Sequence, residues 1–330
     1  MNNAQVRMIE LAGAADFLGP GAIEVPEFET EIVDIIRRES VALNRLPSER
    51  ANGHPHRYFE QTAIASAVAV DPRNLASAAT SPTRVERSAP VKAAISQTNI
   101  GLFDKEITQQ QGRFGAVVAK DIEDIVSAVQ VKRASMLWIG TDTSLTTPTT
   151  LEWMGGFAQI TLQATIVPGA SIIDGIKAQV AAMVANQTFK AKPTAIYVNP
   201  VLADYIDQEA KAYAIELGKM DIGAGVVVAS LNTQAGTLPL IGDAFIPADT
   251  TAKYGFGAPP AGNKNYYAAI LTEKMVEMPY VSGETDNPLP RLFQLGLIGN
   301  LSGQYVGVKF DAVVFKGASY AHCVVAVQRP

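Results

Sequence analysis

The sequence predicts an α+β fold, and three observations support this class. A helix, a short apolar strand and a second helix follow one another over residues 171–218. Residues 117–137 predict a separate amphipathic helix. Most of the last 65 residues lie in strand-like runs with no helical pattern between them. The chain therefore combines one α/β unit with a separate helix and a strand-rich C-terminal part, a mixture that is typical of α+β proteins.

Composition favours a protein that associates with copies of itself. The 330 residues are 48% hydrophobic and only 18% charged, and the formal net charge is −5. So few charges leave a surface that is neutral or buried in contacts. The net charge is too small to favour nucleic acid or an anionic membrane as the main partner.

The cysteine count and the distribution of apolar residues indicate the disulfide content and the cellular compartment. The single cysteine, Cys323, excludes an intrachain disulfide. The first residues lack the basic and apolar regions of a signal peptide, and no uncharged apolar run reaches the roughly 18 residues that cross a bilayer. We therefore expect synthesis in the cytosol and no membrane partner.

The N-terminal part predicts an arm, a helix and a hairpin. Residues 1–26 are rich in glycine and alanine and carry little periodic pattern. Residues 27–46 predict an amphipathic helix that is acidic in its first half and basic in its second. Residues 57–100 predict two long strands joined by a wide loop at 71–82. This hairpin has little apolar bulk of its own, so we expect it to need another surface.

The most clearly patterned unit begins at Ser171. That residue is placed to cap a helix with an apolar stripe formed by Ile172, Ile173, Ile176, Val180, Met183 and Val184. Pro193 ends the connection that follows, because proline disfavours helical backbone in the preceding residue. Residues 194–198 then form a short apolar run that predicts a strand.

A second helix is predicted directly after this strand. Asn199 is a good N-cap, and Pro200 suits the first helical position because no N–H is needed there. Gly218 stands where a C-cap is expected. Nothing in this unit resembles a catalytic group, which favours a structural role.

Further strands are predicted toward the C-terminus. They cover residues 226–229, 266–278, 292–298, 305–315 and 321–327. In residues 306–311, Val, Val and Phe alternate with Gly, Lys and Asp. This alternation predicts a sheet with one solvated face.

Candidate chemistry is weak throughout the sequence. His54 and His56 lie close together, but His322 is the only other histidine, and Cys323 beside it would point to the opposite face of a strand. The G-x-S-x-G, H-E-x-x-H, G-K-[ST] and C-x-x-C motifs do not occur. We predict no catalytic residue, no cofactor and no metal, and hence a protein that is not an enzyme.

Charge distribution suggests one kind of functional contact. Residues 1–36 hold seven acids and one base, whereas residues 84–92 hold three bases and one acid. An acidic arm and a basic hairpin from two subunits would meet with complementary charge, which sets register. The candidate inter-subunit contacts are Glu27, Glu31, Asp34, Arg84, Arg87 and Lys92. The alternative is two unrelated solvated surfaces.

In their order, these pieces resemble the major capsid proteins of tailed bacteriophages with the Hong Kong 97-type fold. That fold has an N-terminal arm, an extended hairpin called the E-loop, a spine helix, a peripheral domain and an axial α/β domain. Residues 193–200 (PTAIYVNP) are the most family-like phrase, and residues 307–315 (GVKFDAVVF) match the returning strands. The resemblance covers most of the chain and is nearest to short-tailed phages such as those infecting Bordetella.

The resemblance implies a division of the chain into five parts. These are the arm at 1–50, the E-loop at 51–103, the spine helix and peripheral domain at 104–165, the axial domain at 166–262, and C-terminal strands at 263–330 that return to the peripheral domain.

It also implies a function, a location and a set of partners. The protein would assemble as hexamers and pentamers into an icosahedral head around double-stranded DNA, which it would hold without sequence-specific contacts. It would reside in the virion, and in the host cytoplasm during assembly. Its partners would be its own copies, a separate scaffolding protein, a portal and a cement protein.

Two alternatives to the phage capsid remain open from the sequence. One is the shell protein of an encapsulin-like nanocompartment. The other is an α/β enzyme with an unrecognised site around residues 199–213.

Overall fold

A computed structural model describes residues 39–73, 80–101, 103, 106–107, 110, 117–213, 217–221, 227–282, 289–298 and 302–330. The α-helices are α1 (Val41–Arg45), α2 (Val117–Ile139), α3 (Gly156–Gln159), α4 (Ile172–Val184) and α5 (Pro200–Ala212). Within these ranges, no helix combines the length and apolar character that a membrane span requires.

The strands form two large sheets and one hairpin. Strands before α4 are β1 (Ser48–Arg50), β2 (His56–Ala63), β3 (Thr83–Ala89), β4 (Lys92–Gly101) and β5 (Gln163–Ile166). The middle strands are β6 (Ala195–Val198), β7 (Gly218–Asp221), β8 (Val227–Thr233), β9 (Gly236–Gly242), β10 (Ala248–Asp249) and β11 (Lys264–Leu271). The last strands are β12 (Val276–Val281), β13 (Arg291–Ile298), β14 (Ser302–Asp311), β15 (Val314–Phe315) and β16 (Cys323–Arg329).

The first sheet has six strands and carries α2 on one face. Its main order is β1-β12-β14-β13, with β4 along the other edge of β14 and β15 beside β12. A Cβ atom at Gly307 in β14 would lie 2.4 Å from Cγ2 of Ile125 in α2. Since real Cβ atoms do not approach so closely, glycine is what allows the helix to contact the strand here.

The second sheet has eight strands and carries α4 and α5. Its order is β5-β16-β11-β6-β9-β8-β7, with β10 beside β11. Ser171 Oγ accepts a hydrogen bond from Asp174 N at 3.1 Å, as expected of an N-cap. Glu209 of α5 also accepts bonds from Ile172 N at 2.8 Å and Ile173 N at 3.2 Å. The carboxylate of one helix therefore caps the other and fixes the pair.

One hydrophobic core runs between the two sheets. Its centre is an aromatic cluster in which Trp138 of α2 lies 5.6 Å from Phe157 and 5.7 Å from Tyr197, measured between ring centroids. Trp138 is fully buried, and its Nε1 donates to Asp243 at 3.2 Å. The C-terminal end of α2 is thus packed against the second sheet while the rest of it lies on the first.

Several sequence predictions are confirmed. The α+β class is correct, and the helix predicted at 117–137 extends over Val117–Ile139. The two helices of the patterned unit begin after Ser171 and Asn199 as predicted. The strand between them is fully buried over Ala195–Val198.

Other boundaries differ from the prediction for local reasons. Gly218 is not a C-cap, because α5 ends at Ala212 with Tyr213 as its C-cap, and Gly218 begins β7. Of the helix predicted at 27–46, residues 27–38 lie outside the described residues. Ser40 has extended backbone and caps a short helix at Val41–Arg45. The strand predicted at 266–278 is interrupted by a 3-10 turn at Glu273–Met275.

The pairing of β4 and of the last strands also differs from the expected division. β4 pairs along its whole length with β14, so the hairpin proper contains only β2 and β3. Among the strands after residue 263, β11 and β16 pair with each other and with β6 and β5 of the second sheet. Only β12–β15 of these strands lie in the first sheet. The five-part division implied by the resemblance stays a prediction.

Replacing Gly307 by alanine should destabilise the protein by about 1–3 kcal/mol, because the new methyl group would overlap a buried, β-branched side chain. Urea unfolding of the purified protein measures this change. Gly303 in the same strand is the matched control, since a Cβ there meets nothing within 4 Å. Gly303→Ala should change stability by no more than about 0.5 kcal/mol. Equal effects of the two substitutions would contradict the proposed close contact.

Candidate assembly interface

The two predicted hairpin arginines lie on opposite faces of the β2–β3 ribbon. Arg87 pairs in register with Tyr58, whereas Arg84 pairs with Gln61. Directly paired residues of antiparallel strands share a face, and neighbours along a strand alternate. The ribbon therefore offers one arginine toward the body of the subunit and one away from it.

Arg87 belongs to the contacts that hold the hairpin on its own subunit. Its Nε lies 3.2 Å from Oε2 of Glu60, and Oε1 of the same carboxylate accepts from Gly317 N at 2.9 Å. Gly317 has a left-handed backbone with φ of 68°, and a Cβ there would lie 2.7 Å from the Tyr320 ring. Glu60 is therefore the residue that ties the ribbon to this turn.

A second set of contacts anchors the base of the ribbon. Glu277 forms an ion pair with Lys316 and lies 3.6 Å from Nε2 of His56. The Lys316 ammonium also lies 5.4 Å from the centroid of the Tyr58 ring. Burial is the main cause that raises the pKa of Tyr58 to about 12, and the negative charge of the nearby Glu60 acts in the same direction. The inner face of the hairpin is thus held mainly by polar contacts.

Arg84 occupies the outer face with less support from its own chain. It is exposed and forms no ion pair with any residue that the structure describes. On the same face, Phe59 is 74% exposed and Arg57 pairs with Glu86 at 3.1 Å. An unpaired cation beside an uncovered aromatic ring fits an inter-subunit contact, and that role of Arg84 stays a prediction.

Lys92 is engaged inside its own subunit. Its ammonium contacts the Asp142 carboxylate and the carbonyl oxygen of Glu152. It also donates to the carbonyl oxygen of Thr150 at 2.5 Å. Burial would raise the pKa of Asp142, but hydrogen bonds from Lys92 and Thr149 outweigh it and hold the pKa well below its usual range. Lys92 thereby fixes the threonine-rich loop at 141–150, and its predicted inter-subunit contact stays untested.

The acidic members of the predicted contact, Glu27, Glu31 and Asp34, lie outside the described residues. Their pairing with Arg84 or Arg87 of another subunit stays a prediction.

Strand β14 of the first sheet buries its two charged side chains and exposes the aromatic residue between them. Lys309 and Asp311 of β14 are 3% and 0% exposed on the face that carries α2, whereas Phe310 between them is 42% exposed. Asp311 Oδ2 accepts from Arg133 Nε of α2 at 2.7 Å, and the Lys309 ammonium lies 4.1 Å from the Tyr280 ring centroid. The alternation predicted from sequence is present, but its polar side is buried beneath α2, and on the other side Val308 is buried whereas Phe310 is exposed.

Burial shifts the titration of both charged residues in β14. It raises the pKa of Asp311 to about 6, although Arg133 and Lys309 act in the opposite direction. It lowers the pKa of Lys309 to about 8. The Asp311 backbone is held as well, because Trp153 Nε1 donates to its carbonyl oxygen at 3.0 Å.

The residues considered for chemistry have structural partners. His322 Nδ1 accepts from Thr272 N at 3.4 Å, its Nε2 donates to Lys316 O at 3.1 Å, and burial lowers its pKa to about 4. Burial raises the pKa of the Cys323 thiol to about 12. Asn199 accepts from Val201 N at 2.9 Å and donates to Ile246 O at 2.6 Å. Among the described residues, no three His, Cys, Asp or Glu side chains are grouped to hold a metal ion.

Sequence reasoning missed the residues that organise these surfaces. Glu60 and Arg133 each contact a residue more than 170 positions away, at Gly317 and Asp311. No local pattern marks such contacts. The sequence does contain one signal of an apolar hairpin surface. In residues 63–70 (AIASAVAV), larger and small residues alternate, which would place Ile and Val on one side of a strand and alanine on the other.

No family model and no curated protein matches this sequence. The fold does match solved structures. The capsid asymmetric unit of cyanophage A-1(L) aligns with TM-score 0.64 and 12% identity, over 92% of this chain and 96% of that one. The head of Helicobacter pylori bacteriophage KHP40 aligns with TM-score 0.61 and 10% identity, over 94% and 95%. An encapsulin complex, SrpI of Synechococcus elongatus PCC 7942, aligns with TM-score 0.60 and 10% identity, over 99% and 95%.

The chain has the fold of phage capsid proteins, the Hong Kong 97-type fold. The similarity extends over nearly the whole of each chain, so the resemblance inferred from sequence is confirmed at the level of fold. The narrower resemblance to capsid proteins of short-tailed Bordetella phages stays a prediction.

Removing the buried cation at Arg133 should cost stability. Arg133→Met leaves the buried Asp311 carboxylate without its direct partner, and we expect a loss of about 3 kcal/mol in the free energy of unfolding. The neighbouring Lys132 pairs with Glu152 on the exposed side of α2 and is the matched control. Lys132→Met should cost less than about 1 kcal/mol. Urea unfolding measures both losses. Equal losses for the two variants would show that the buried ion pair contributes no more stability than the exposed one.

Proposed function

We propose that this protein is a major capsid protein, which assembles as hexamers and pentamers into the icosahedral head of a tailed phage. The observation that carries the proposal is the alignment of nearly the whole chain with the cyanophage capsid chain, at 92% and 96% coverage. With almost all of both chains aligned, little of this chain remains for a separate activity. Such a protein is a structural component of the virion and no enzyme.

The surfaces of the subunit support self-association. Exposed large apolar side chains are concentrated on the hairpin and on the first sheet, among them Phe59, Val68, Ile95 and Phe310. Exposed apolar patches of this kind mark protein interfaces. Moderate interfaces repeated around a shell allow assembly to be cooperative, since each added subunit makes several contacts at once.

The proposal includes partners and a division of labour within the chain. Double-stranded DNA would be enclosed without sequence-specific contacts, and scaffolding, portal and cement functions would be supplied by separate proteins. Assembly would take place in the host cytoplasm. The six-stranded sheet with α2 corresponds to the peripheral domain and spine helix, and the eight-stranded sheet corresponds to the axial domain.

An encapsulin-like shell is the second candidate, and one observation favours keeping it. The Synechococcus encapsulin chain aligns over 99% of this chain, with a TM-score close to that of the phage chains. The two candidates share the assembly and differ in what the shell encloses. The enzyme alternative at residues 199–213 has no comparable support, because both polar side-chain atoms of Asn199 are used in hydrogen bonds to the backbone, at Val201 and Ile246.

Electron microscopy of the purified protein tests assembly directly. Negative staining should show closed shells, capsomers or tubes. Nuclease-protected DNA in particles from an infected host would favour the phage capsid, whereas a co-purifying protein cargo would favour the nanocompartment. A population of small, unassembled particles at high protein concentration would contradict both.

Reversing one outer hairpin charge should weaken assembly without unfolding the subunit. Arg84→Glu should raise the subunit concentration required for assembly by about fivefold, the effect of a contact worth about 1 kcal/mol. Because Arg84 has no ion pair in its own described chain, unfolding should change by no more than about 0.5 kcal/mol. Light scattering against concentration measures the first effect. Arg84→Lys keeps the charge and should assemble normally, and normal assembly of the glutamate variant would remove Arg84 from the interface.

A further inference from the structure

The connection between β1 and β2 contains an asparagine that is followed directly by a glycine. Asn52-Gly53 is the only Asn-Gly pair in the sequence. It lies in residues 51–55, which join Arg50 at the end of β1 to His56 at the start of β2. In such a pair, the side-chain carbonyl carbon and the next backbone nitrogen are close enough to form a ring. A reaction between groups of one chain gains from this proximity.

Both residues of the pair are open to solvent. Asn52, Gly53 and His54 are all exposed. Within the described part of the chain, no hydrogen bond holds the Asn52 side chain or the Gly53 amide. The side chain of Asn52 can therefore turn toward the backbone, and the nitrogen of Gly53 is available to react with it.

Glycine leaves this nitrogen accessible. Without a Cβ, Gly53 places no side chain beside the nitrogen and permits the backbone rotation that ring closure requires. A Cβ at Gly53 would meet nothing within 4 Å, and the φ of this residue lies outside the left-handed region. The fold therefore does not require glycine at position 53, in contrast to Gly307, where α2 lies against the strand.

The backbone is fixed on both sides of the pair. On one side, Ala51 N donates to Tyr280 O at 2.8 Å. On the other, Val91 N donates to His54 Nδ1 at 3.2 Å. These two hydrogen bonds attach the base of the hairpin to β12 and to the segment between β3 and β4. A change in the length of chain between them would disturb that attachment.

We propose that Asn52-Gly53 is a site of spontaneous modification, at which the asparagine is converted to aspartate and isoaspartate through a cyclic imide. The Gly53 nitrogen attacks Cγ of Asn52, so a new C–N bond forms while the bond from Cγ to the side-chain nitrogen breaks. That nitrogen leaves as ammonia with the proton lost by the Gly53 amide. Solvent water then opens the imide at either carbonyl, and no electrons are exchanged with another molecule.

The two products change the loop to different degrees. Each conversion replaces a neutral amide by a carboxylate, which is ionised at neutral pH. When water opens the imide at the backbone carbonyl of residue 52, the main chain afterwards runs through Cβ and Cγ. One more carbon then separates Ala51 from His54. Because both residues are hydrogen-bonded to fixed partners, the extra length weakens one of these two bonds and loosens the base of the hairpin.

Peptide mapping of the full-length protein tests the modification. The purified protein is incubated at neutral pH and physiological temperature, and is called aged below. Trypsin releases residues 51–57 (ANGHPHR), in which Asn52 is the only side-chain amide. The mass of this peptide should rise with time by the difference between OH and NH2, relative to a sample taken before incubation. Hydroxylamine, which cleaves cyclic imides, should cut the aged protein between residues 52 and 53.

Gly53→Ala is the matched variant, because its methyl group meets open space and the chain should fold as before. It should slow the conversion several-fold by restricting the backbone next to the nitrogen. Asn186 is an internal control, since it is exposed but its Oδ1 accepts from Thr188 N at 2.9 Å and Phe189 N at 3.1 Å. It should stay unmodified over the same period.

Two results would overturn the proposal. One is equal conversion rates in Gly53→Ala and in the wild-type protein. The other is an unchanged peptide 51–57 from aged protein at a time when a synthetic peptide of the same sequence has been converted.

Amide hydrogen exchange of the free subunit tests the effect on the hairpin. Exchange at the amides of Ala51 or Val91 should be faster in aged wild-type protein than in fresh protein, because an amide exchanges when its hydrogen bond opens. Aged Gly53→Ala should keep the slow exchange. Faster exchange in both aged proteins, or in neither, would contradict the link between the modification and the hairpin base. Neither experiment requires assembled particles, so the proposed function is tested separately.

Discussion

The attachment of α2 to the six-stranded sheet is the constraint on which the other surfaces depend. At one end Gly307 lets the helix approach the strand, and at the other Arg133 holds the buried Asp311 carboxylate. A buried carboxylate requires such a partner, since an unpaired charge in the interior is strongly destabilising. Because Lys309 and Asp311 of β14 lie on the face that carries α2, Phe310 between them points to the opposite face, where it is 42% exposed.

A second buried carboxylate connects the sheet with α2 to the other sheet. Asp243, at the end of β9, accepts hydrogen bonds from Ser40 Oγ at 2.7 Å and Trp138 Nε1 at 3.2 Å. Ser40 caps α1, and Trp138 lies in the last turn of α2, so three distant parts of the chain meet at one side chain. The chain that leads out of the N-terminal region is therefore fixed relative to both sheets.

The hairpin is attached quite differently from these packed parts. Glu60 and Glu277 hold its base through hydrogen bonds and ion pairs. Farther out, the side chains of Ile64, Val68 and Val70 are about half exposed or more in the described part of the chain. Polar contacts at the edge of a protein contribute little stability each. The arrangement suits a segment whose final position is set by a neighbouring subunit, and it is consistent with a shell whose subunits complete one another.

Local sequence was sufficient for much of the fold. Ser171, Asn199 and Pro200 mark helix starts through their own side chains, and the apolar spacing over Val117–Ile139 identifies the long helix. These signals act within a few residues and do not depend on the rest of the chain. The order of such pieces was also enough to indicate a capsid-type fold.

Tertiary structure alone decided which face of each strand is covered. The alternation in β14 shows that two faces exist, but only the position of α2 determines that Lys309 and Asp311 are the buried pair. Likewise, the basic character of Arg84, Arg87 and Lys92 is plain in the sequence, while their partners are not. Lys92 binds Asp142, which lies fifty residues away in the sequence, whereas Arg84 forms no ion pair within the described part of the chain. Pairing across such separations depends on the packing of the whole subunit, which no local pattern encodes.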